Sequence, residues 1–176
     1  MEITIRKETE IDFENVFNLI KKAFESEKLS DHKEQFLVER LRKSNAFISE
    51  LSIVAEINEE IIGHILLTKL KIKNKVSVFE SLALAPVSVL PKFQRKGIGE
   101  KLIVAAHKKA SELGYKSIVL LGHTDYYPKF GYKQADKFGI VFPFEAPKEN
   151  CMVKELVENG LNGVSGCVAY PKEFNE

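Results

Sequence analysis

The chain has 176 residues, 44% of them hydrophobic, which suits one domain spanning 1–176 with a sizeable core. Its 26 basic and 25 acidic residues leave a formal net charge of +1, so bulk electrostatics make no case for a nucleic-acid or membrane partner. No apolar run approaches a membrane span, and the opening MEITIRKETEID has no secretory apolar stretch, which points to a cytoplasmic protein.

The segment EITIRKET places Ile3 and Ile5 on one face and reads as a first strand. In TEIDFENVFNLIKKAF, Thr9 and Asp12 have the spacing of a capping box, and Phe13, Val16, Phe17, Ile20 and Phe24 recur at helical intervals. A second helix is expected from about Ser30 or Asp31 to Ser44 or Asn45, with Phe36, Leu37 and Leu41 as its buried stripe. ISELSIVAEI alternates, with Leu51, Ile53, Ala55 and Ile57 on one face; Asn58-Glu59-Glu60 turns the chain, and IIGHILLTKLKI returns as the partner strand. FESLALAPVSVL is the central apolar run.

Gly97 opens a long helix with Ile98, Leu102, Ala106, Ala110 and Leu113 inward, and Gly114 stops it. SIVLLG has the continuous apolar character of a strand buried on both faces. TDYYPKFGY fits a short helix capped by Thr124 or Asp125. From Lys133 on, strand-like pieces lie at GIVFPF, CMVKELV and GCVAYP. Cys151 and Cys167 lack metal-ligand spacing and read as ordinary thiols, so no metal site is expected. The element order is β-α-α-β-β-β-α-β-α-β. A strand, long helix and strand at its centre imply a parallel pair, and the hairpins before it imply antiparallel neighbours. The expected fold is therefore a mixed sheet with helices on both faces.

Two glycines and two cations crowd into Gln94-Arg95-Lys96-Gly97-Ile98-Gly99, just where the long helix begins. A helix N-terminus exposes unpaired N–H groups and partial positive charge, and glycines let a ligand approach the backbone. Phosphate is the natural guest. The stretch is no Walker loop, and it lacks the third small residue of a dinucleotide fingerprint, since Leu102 occupies that position. Upstream, Pro86 interrupts the central strand. Proline is confined to edges and bulges, and a bulge here opens a wedge whose unpaired backbone groups suit an extended, amide-bearing ligand. Downstream, YYPKFGY brings Tyr127 to the mouth of that wedge as a proton donor, while Phe130 and Tyr132 read as core.

These residues together resemble the GNAT superfamily of N-acetyltransferases. The family's acyl-CoA motif, Gln/Arg-x-x-Gly-x-Gly/Ala, is complete in residues 94–99. VSVLP matches its apolar-x-Val-x-Pro, and YYPKFGY its Tyr-x-x-x-Gly-Phe, with Tyr132 in place of phenylalanine. The match is sharpest over residues 80–132, and the bacterial YhbS-like group is the most similar subgroup. The resemblance implies a mostly antiparallel sheet with a parallel pair splayed at the bulge. It also implies acetyl-CoA as cosubstrate, its pyrophosphate on the amides of Gln94, Arg95, Lys96, Gly97, Ile98 and Gly99, and its pantetheine arm along Val87, Ser88 and Val89.

By the same analogy the backbone N–H of Val89 polarises the thioester carbonyl, Tyr127 protonates the departing thiolate, and an amine is the acceptor. Some family members carry a carboxylate base on the central strand where this chain has Ala83. Glu80 is three residues away and falls on the other strand face, leaving His64, His123 or water for the task. A catalytically silent acyl-CoA sensor, transfer of another acyl group, and both monomer and homodimer remain open at this stage.

Overall fold

The computed structural model describes residues 2–176. In chain order it contains β1 (Thr4–Lys7), α1 (Phe13–Phe24), α2 (Glu34–Arg42), β2 (Ser52–Ile57), β3 (Glu60–Lys73) and β4 (Val78–Val89). Then come α3 (Ile98–Glu112), β5 (Ser117–Leu121), β6 (Lys133–Gln134), β7 (Ile140–Val141), β8 (Cys151–Glu155) and β9 (Gly166–Ala169). The strands form one sheet in the order β1-β2-β3-β4-β5-β8-β6. β9 pairs with the far end of β3, beyond the reach of β2, and β7 pairs with β9. The ladders β1–β2, β2–β3, β3–β4 and β5–β8 are antiparallel, while β4–β5 and the two-residue β7–β9 contact are parallel. This is the mixed sheet that the sequence pattern implied, mostly antiparallel as the family resemblance implied.

Period-two alternation sorts the apolar side chains to the two faces. Ile53, Ala55 and Ile57 of β2, with Ile65 and Leu67 of β3, meet Ile98, Leu102 and Ala106 of α3. On the opposite face Val54 and Leu66 meet Val16, Leu19 and Ile20 of α1 and Val38 and Leu41 of α2. The later strands and loops close the rest of that face around Ala83, Val119, Ile140 and Val153. The helices thus lie on both faces.

The capping box forms: the Thr9 N–H and hydroxyl both bond the Asp12 carboxylate, at 2.8 and 3.0 Å, in a 3-10 turn that leads into α1. Asn58 and Glu59 take left-handed backbone conformations in the β2–β3 turn. Gly114 ends α3, with the N–H of Tyr115 bonded to the Ala110 carbonyl at 3.1 Å.

Some expectations fail. α2 begins at Glu34, because Ser30 and Asp31 spend their side chains on the preceding turn: Asp31 accepts from the Lys33 N–H and Ser30 from that of His32. Phe36 is 46% exposed and packs edge-on against Phe17, 5.3 Å between centroids, while Val38 fills the buried stripe. Leu113 is 43% exposed, since it caps α3 where the helix has passed the end of its packing face. The TDYYPKFGY segment makes only a 3-10 turn, Tyr127–Phe130. Neither Thr124 nor Asp125 caps it. The carbonyl of His123 accepts instead from the N–H groups of Tyr126 and Tyr127.

Candidate active site

The central feature is a bulge in β4. Opposite β3, Leu84 pairs with Leu67 and Val87 with Ile65, so Ala85 and Pro86 together face Leu66. The extra residue shifts the alternation by one. Leu82 and Leu84 before the bulge, and Val87 and Val89 after it, therefore share the α3 face.

The bulge also decides where the backbone points. Leu90 N–H donates to the Ile62 carbonyl at 2.9 Å. In an antiparallel ladder hydrogen-bonded and non-bonded pairs alternate. Ser88 thus exchanges bonds with His64, whereas Val87 and Val89 direct their N–H and C=O groups away from β3. On that side β5 pairs with β4 only at Leu82–Ile118 and Ala83–Val119 and then follows β8 instead. The groups of Val87 and Val89 consequently face a wedge. Gln94 reaches back into it, its side-chain amide donating to the Val89 carbonyl at 3.0 Å.

The mouth of the wedge is the N-terminus of α3. Arg95 and Gly97 both have positive φ, 61° and 80°, which curls the backbone into the helix start; Gly97 is the residue type that adopts this without strain, while the Gln94 N–H is already donated to the Pro91 carbonyl at 3.3 Å. The first helical bond is from Lys101 N–H to the Gly97 carbonyl, so the amides of Ile98, Gly99 and Glu100 have no helical partner. A Cβ on Gly99 would stand 3.0 Å from the Tyr126 hydroxyl and 3.9 Å from Val89 Cγ2, filling the cradle. The cleft enclosed has a volume of about 350 Å³. Free amides at a helix start, a peptide-like run of donors and acceptors behind them, and a cleft kept clear by the missing Cβ of Gly99 fit a long ligand with anionic and amide parts.

Of the residues expected here, Val87, Val89, Gln94, Arg95, Gly97, Ile98 and Gly99 line the cleft. Lys96 is exposed just outside it, its ammonium 5.6 Å from the Phe93 ring centroid. Ser88 is turned to the opposite face, where its hydroxyl is buried. Sequence reasoning passed over Phe93, Glu100, Tyr126 and Lys129, which also line the cleft. The Tyr-Tyr doublet was the available signal for Tyr126. Lys129 sits 4.5 Å above the Tyr126 ring and 3.8 Å from Glu100, tying the 127–130 turn to α3.

Tyr127, expected at the mouth of the wedge, is instead buried and does not line the cleft: it lies behind Tyr126, meeting it edge-on at 5.1 Å, and Tyr126 takes the wall position. A Cβ on Gly122 would overlap the Tyr127 ring, so the glycine at the end of β5 makes room for it; this residue too was missed. Burial, with a smaller contribution from Tyr126, pushes the Tyr127 phenol well above its usual range. It holds its proton across the physiological range.

The two histidines lie elsewhere. His123 is exposed in the loop after β5. His64 is sealed on the α1–α2 face in a polar network. Its Nε2 is 2.9 Å from Ser52 Oγ, Ser52 Oγ donates to Glu8 at 2.5 Å, and Arg42 of α2 pairs with Glu8. Ser52 has one proton and spends it on Glu8, so His64 carries its own on Nε2. Burial, and the Arg42 charge after it, lower His64 to about 3. Ala83 is buried among Val119 and Val153, and Glu80 is on the other face, as the strand period requires. Among the described residues no cluster of His, Cys, Asp or Glu side chains could hold a metal ion, and both cysteines are free thiols. Among the described residues no helix is long and apolar enough to cross a membrane.

Comparison with known proteins agrees with this geometry. Residues 4–135 match the family profile described as an acetyltransferase (GNAT) domain. The chain is 28% identical over 172 residues to an uncharacterized N-acetyltransferase, YhbS, of Escherichia coli K12, covering 97% of this chain and 98% of that one. The crystal structure of E. coli YhbS in complex with CoA superposes with a TM-score of 0.90 at 26% identity, over 100% of this chain and 93% of that one. A GNAT family acetyltransferase from Brucella melitensis, solved in complex with acetyl-CoA, gives 0.81 at 31% identity, with 98% of both chains covered. A bulged strand splayed from its parallel neighbour, glycines opening the next helix and a match across residues 4–135 lead to one conclusion: this chain belongs to the GNAT acetyltransferase family.

Proposed function

We propose that this chain, as a single cytoplasmic domain, is an N-acetyltransferase that moves the acetyl group of acetyl-CoA to an amine by direct attack in a ternary complex. The observation that carries the reading is the early end of the β4–β5 ladder. It leaves the backbone of Val87 and Val89 facing a wedge whose mouth is the free-amide start of α3. The amides of residues 94–99 receive the pyrophosphate. Val87 and Val89 pair with the pantetheine amides as a missing strand would, and the Gln94 side chain gives up Val89 when they do.

Attack by the neutral amine on the thioester carbon forms the C–N bond and breaks the C–S bond. Negative charge builds on the carbonyl oxygen, where the Val89 N–H stabilises it. The leaving thiolate takes the proton of the Tyr127 phenol, and the amine gives up its own proton to water. The placements of His64, sealed under α2, and of His123, out in the loop, favour water over either histidine.

Thiol release from acetyl-CoA, measured against spermidine, kanamycin, free amino acids and a short peptide with a free N-terminus, tests the reading. Turnover with at least one amine is expected. Tyr127→Phe should slow it by about a hundredfold at unchanged coenzyme affinity. Full activity in that variant would remove Tyr127 from the mechanism. A second reading, an acyl-CoA-binding module without catalysis, is favoured by Ala83 standing where some family members place a carboxylate. Tight acetyl-CoA binding with no turnover across the panel would select it. A faster reaction with longer acyl-CoA thioesters would reassign the acyl group.

A further inference from the structure

We propose that His107 of α3 and Tyr132 form a positioning pair for the proton donor: His107 holds the Tyr132 hydroxyl, and the Tyr132 ring in turn fixes the buried Tyr127 ring behind Tyr126, at the back of the cleft. The inference rests on the Tyr127 assignment above.

The starting point is the Tyr132 hydroxyl and its partner His107, a polar pair packed beside the Tyr127 ring. The hydroxyl sits on a ring that is 3% exposed. A buried hydroxyl costs free energy unless it is bonded. This one is, to Nε2 of His107 at 2.7 Å. His107 lies on the same helix whose first turn forms the mouth of the wedge. It is kept neutral because burial, and the ammonium of Lys154 from β8 after it, lower it to about 4. One ring nitrogen is therefore always free to share a proton with the phenol.

The Tyr132 ring then meets the Tyr127 ring edge-on, 5.7 Å between centroids at 79°. Tyr126 meets Tyr127 on another edge, and Gly122 allows the ring to sit where it does. Apolar edge contacts tolerate sliding, whereas a hydrogen bond has a length and a direction. The loop bearing Tyr127 is a single 3-10 turn after an exposed stretch, a poor support for a group that must sit within a fraction of an ångström of its target. The His107–Tyr132 bond refers that loop to α3. The helix that would hold the anionic end of the coenzyme thus also sets the position of the phenol.

The test is a set of variants assayed with acetyl-CoA and whichever panel amine is turned over fastest. Tyr132→Phe and His107→Leu should each lower kcat by about tenfold, with KM for acetyl-CoA held within about twofold. The double variant should be no slower than either single one, because the pair acts as a unit. His107→Gln, whose amide can still bond the hydroxyl, should keep most of kcat. In a Tyr127→Phe background, adding Tyr132→Phe should change nothing further. A Tyr132→Phe enzyme with parental kcat, alongside a slowed Tyr127→Phe enzyme, overturns the pair and leaves the Tyr127 role standing. If Tyr127→Phe is itself fully active, there is no proton donor to position and the pair is overturned with that assignment; if no amine is turned over, crystals of parent and Tyr132→Phe proteins with CoA decide. A Tyr127 hydroxyl displaced relative to the CoA sulfur supports the pair, and an unmoved one refutes it.

Discussion

Two ladders of the same sheet behave differently. β2 and β3 share six residue pairs, and the polar side chains near them are tied together: Arg42 to Glu8, Ser52 to Glu8, and Arg6 to Asp12 and Glu56. β4 and β5 share two pairs and then part. In the first region the strands pair along their shared length and the buried carboxylates and guanidinium groups pair with one another, His64 Nδ1 being left without a partner. In the second the protein leaves donors and acceptors pointing into a gap and gathers free amides at the gap's mouth. A site for an extended, amide-bearing molecule is thus a local failure of sheet pairing, held open by a well-paired remainder.

The contrast is most sharply broken at the wedge. Gly99→Glu fills the cradle beside Tyr126 and brings a negative charge to the free amides, and Gly97→Glu adds strain at positive φ. Either should abolish coenzyme A binding in calorimetry while the urea midpoint stays near the parent for Gly99→Glu. Unchanged binding would remove the pyrophosphate from this turn. The mirror-image experiment is Arg42→Leu. It strands the Glu8 carboxylate in the interior and should cost about 3–5 kcal/mol of stability by urea unfolding. Coenzyme affinity in the folded fraction should be unchanged, and a parallel loss of affinity would show that the two regions are coupled.

Gly122→Ala should lower kcat by about tenfold without weakening coenzyme binding, because the added methyl group must push the Tyr127 ring aside. The last effect is one of pH and leaves the wedge itself untouched. His64 and His107 are held at about 3 and about 4, below the ordinary histidine value of 6.5. The unfolded chain therefore binds their protons first, and stability present above pH 6.5 is lost as the pH falls toward 4. The slope should be about 1.4 kcal/mol per pH unit for each histidine. His107→Gln should remove close to half of it, and a flat profile over that window would contradict the burial of both rings.

Much of the architecture could be read from one sequence because its causes are local. Ile53, Ala55 and Ile57 alternate, Asn58 and Glu59 turn, and Gly97 and Gly114 bracket a helix; period and turn chemistry act within a few residues. Pro86 could be read as a bulge for the same reason, since a residue without an N–H cannot sit in a central ladder. The errors fell where neighbours distant in sequence decide. Phe36 obeys helical spacing yet lies outward, since Phe17 gives it a surface partner and Val38 fits beneath. Ser30 looks like a cap until the turn before α2 claims its hydroxyl.

The site divides along the same line. Residues 94–99 and the strand before them announced an anion and an extended ligand through residue type and order alone, because free amides at a helix start follow from where the helix begins. Which backbone groups face the wedge, that Ser88 and His64 turn from it, that Gly122 makes room for Tyr127 and that His107 reaches Tyr132 depend on strand register and on helices crossing the sheet. Those contacts join residues far apart in the chain, and only the folded structure brings them within bonding distance.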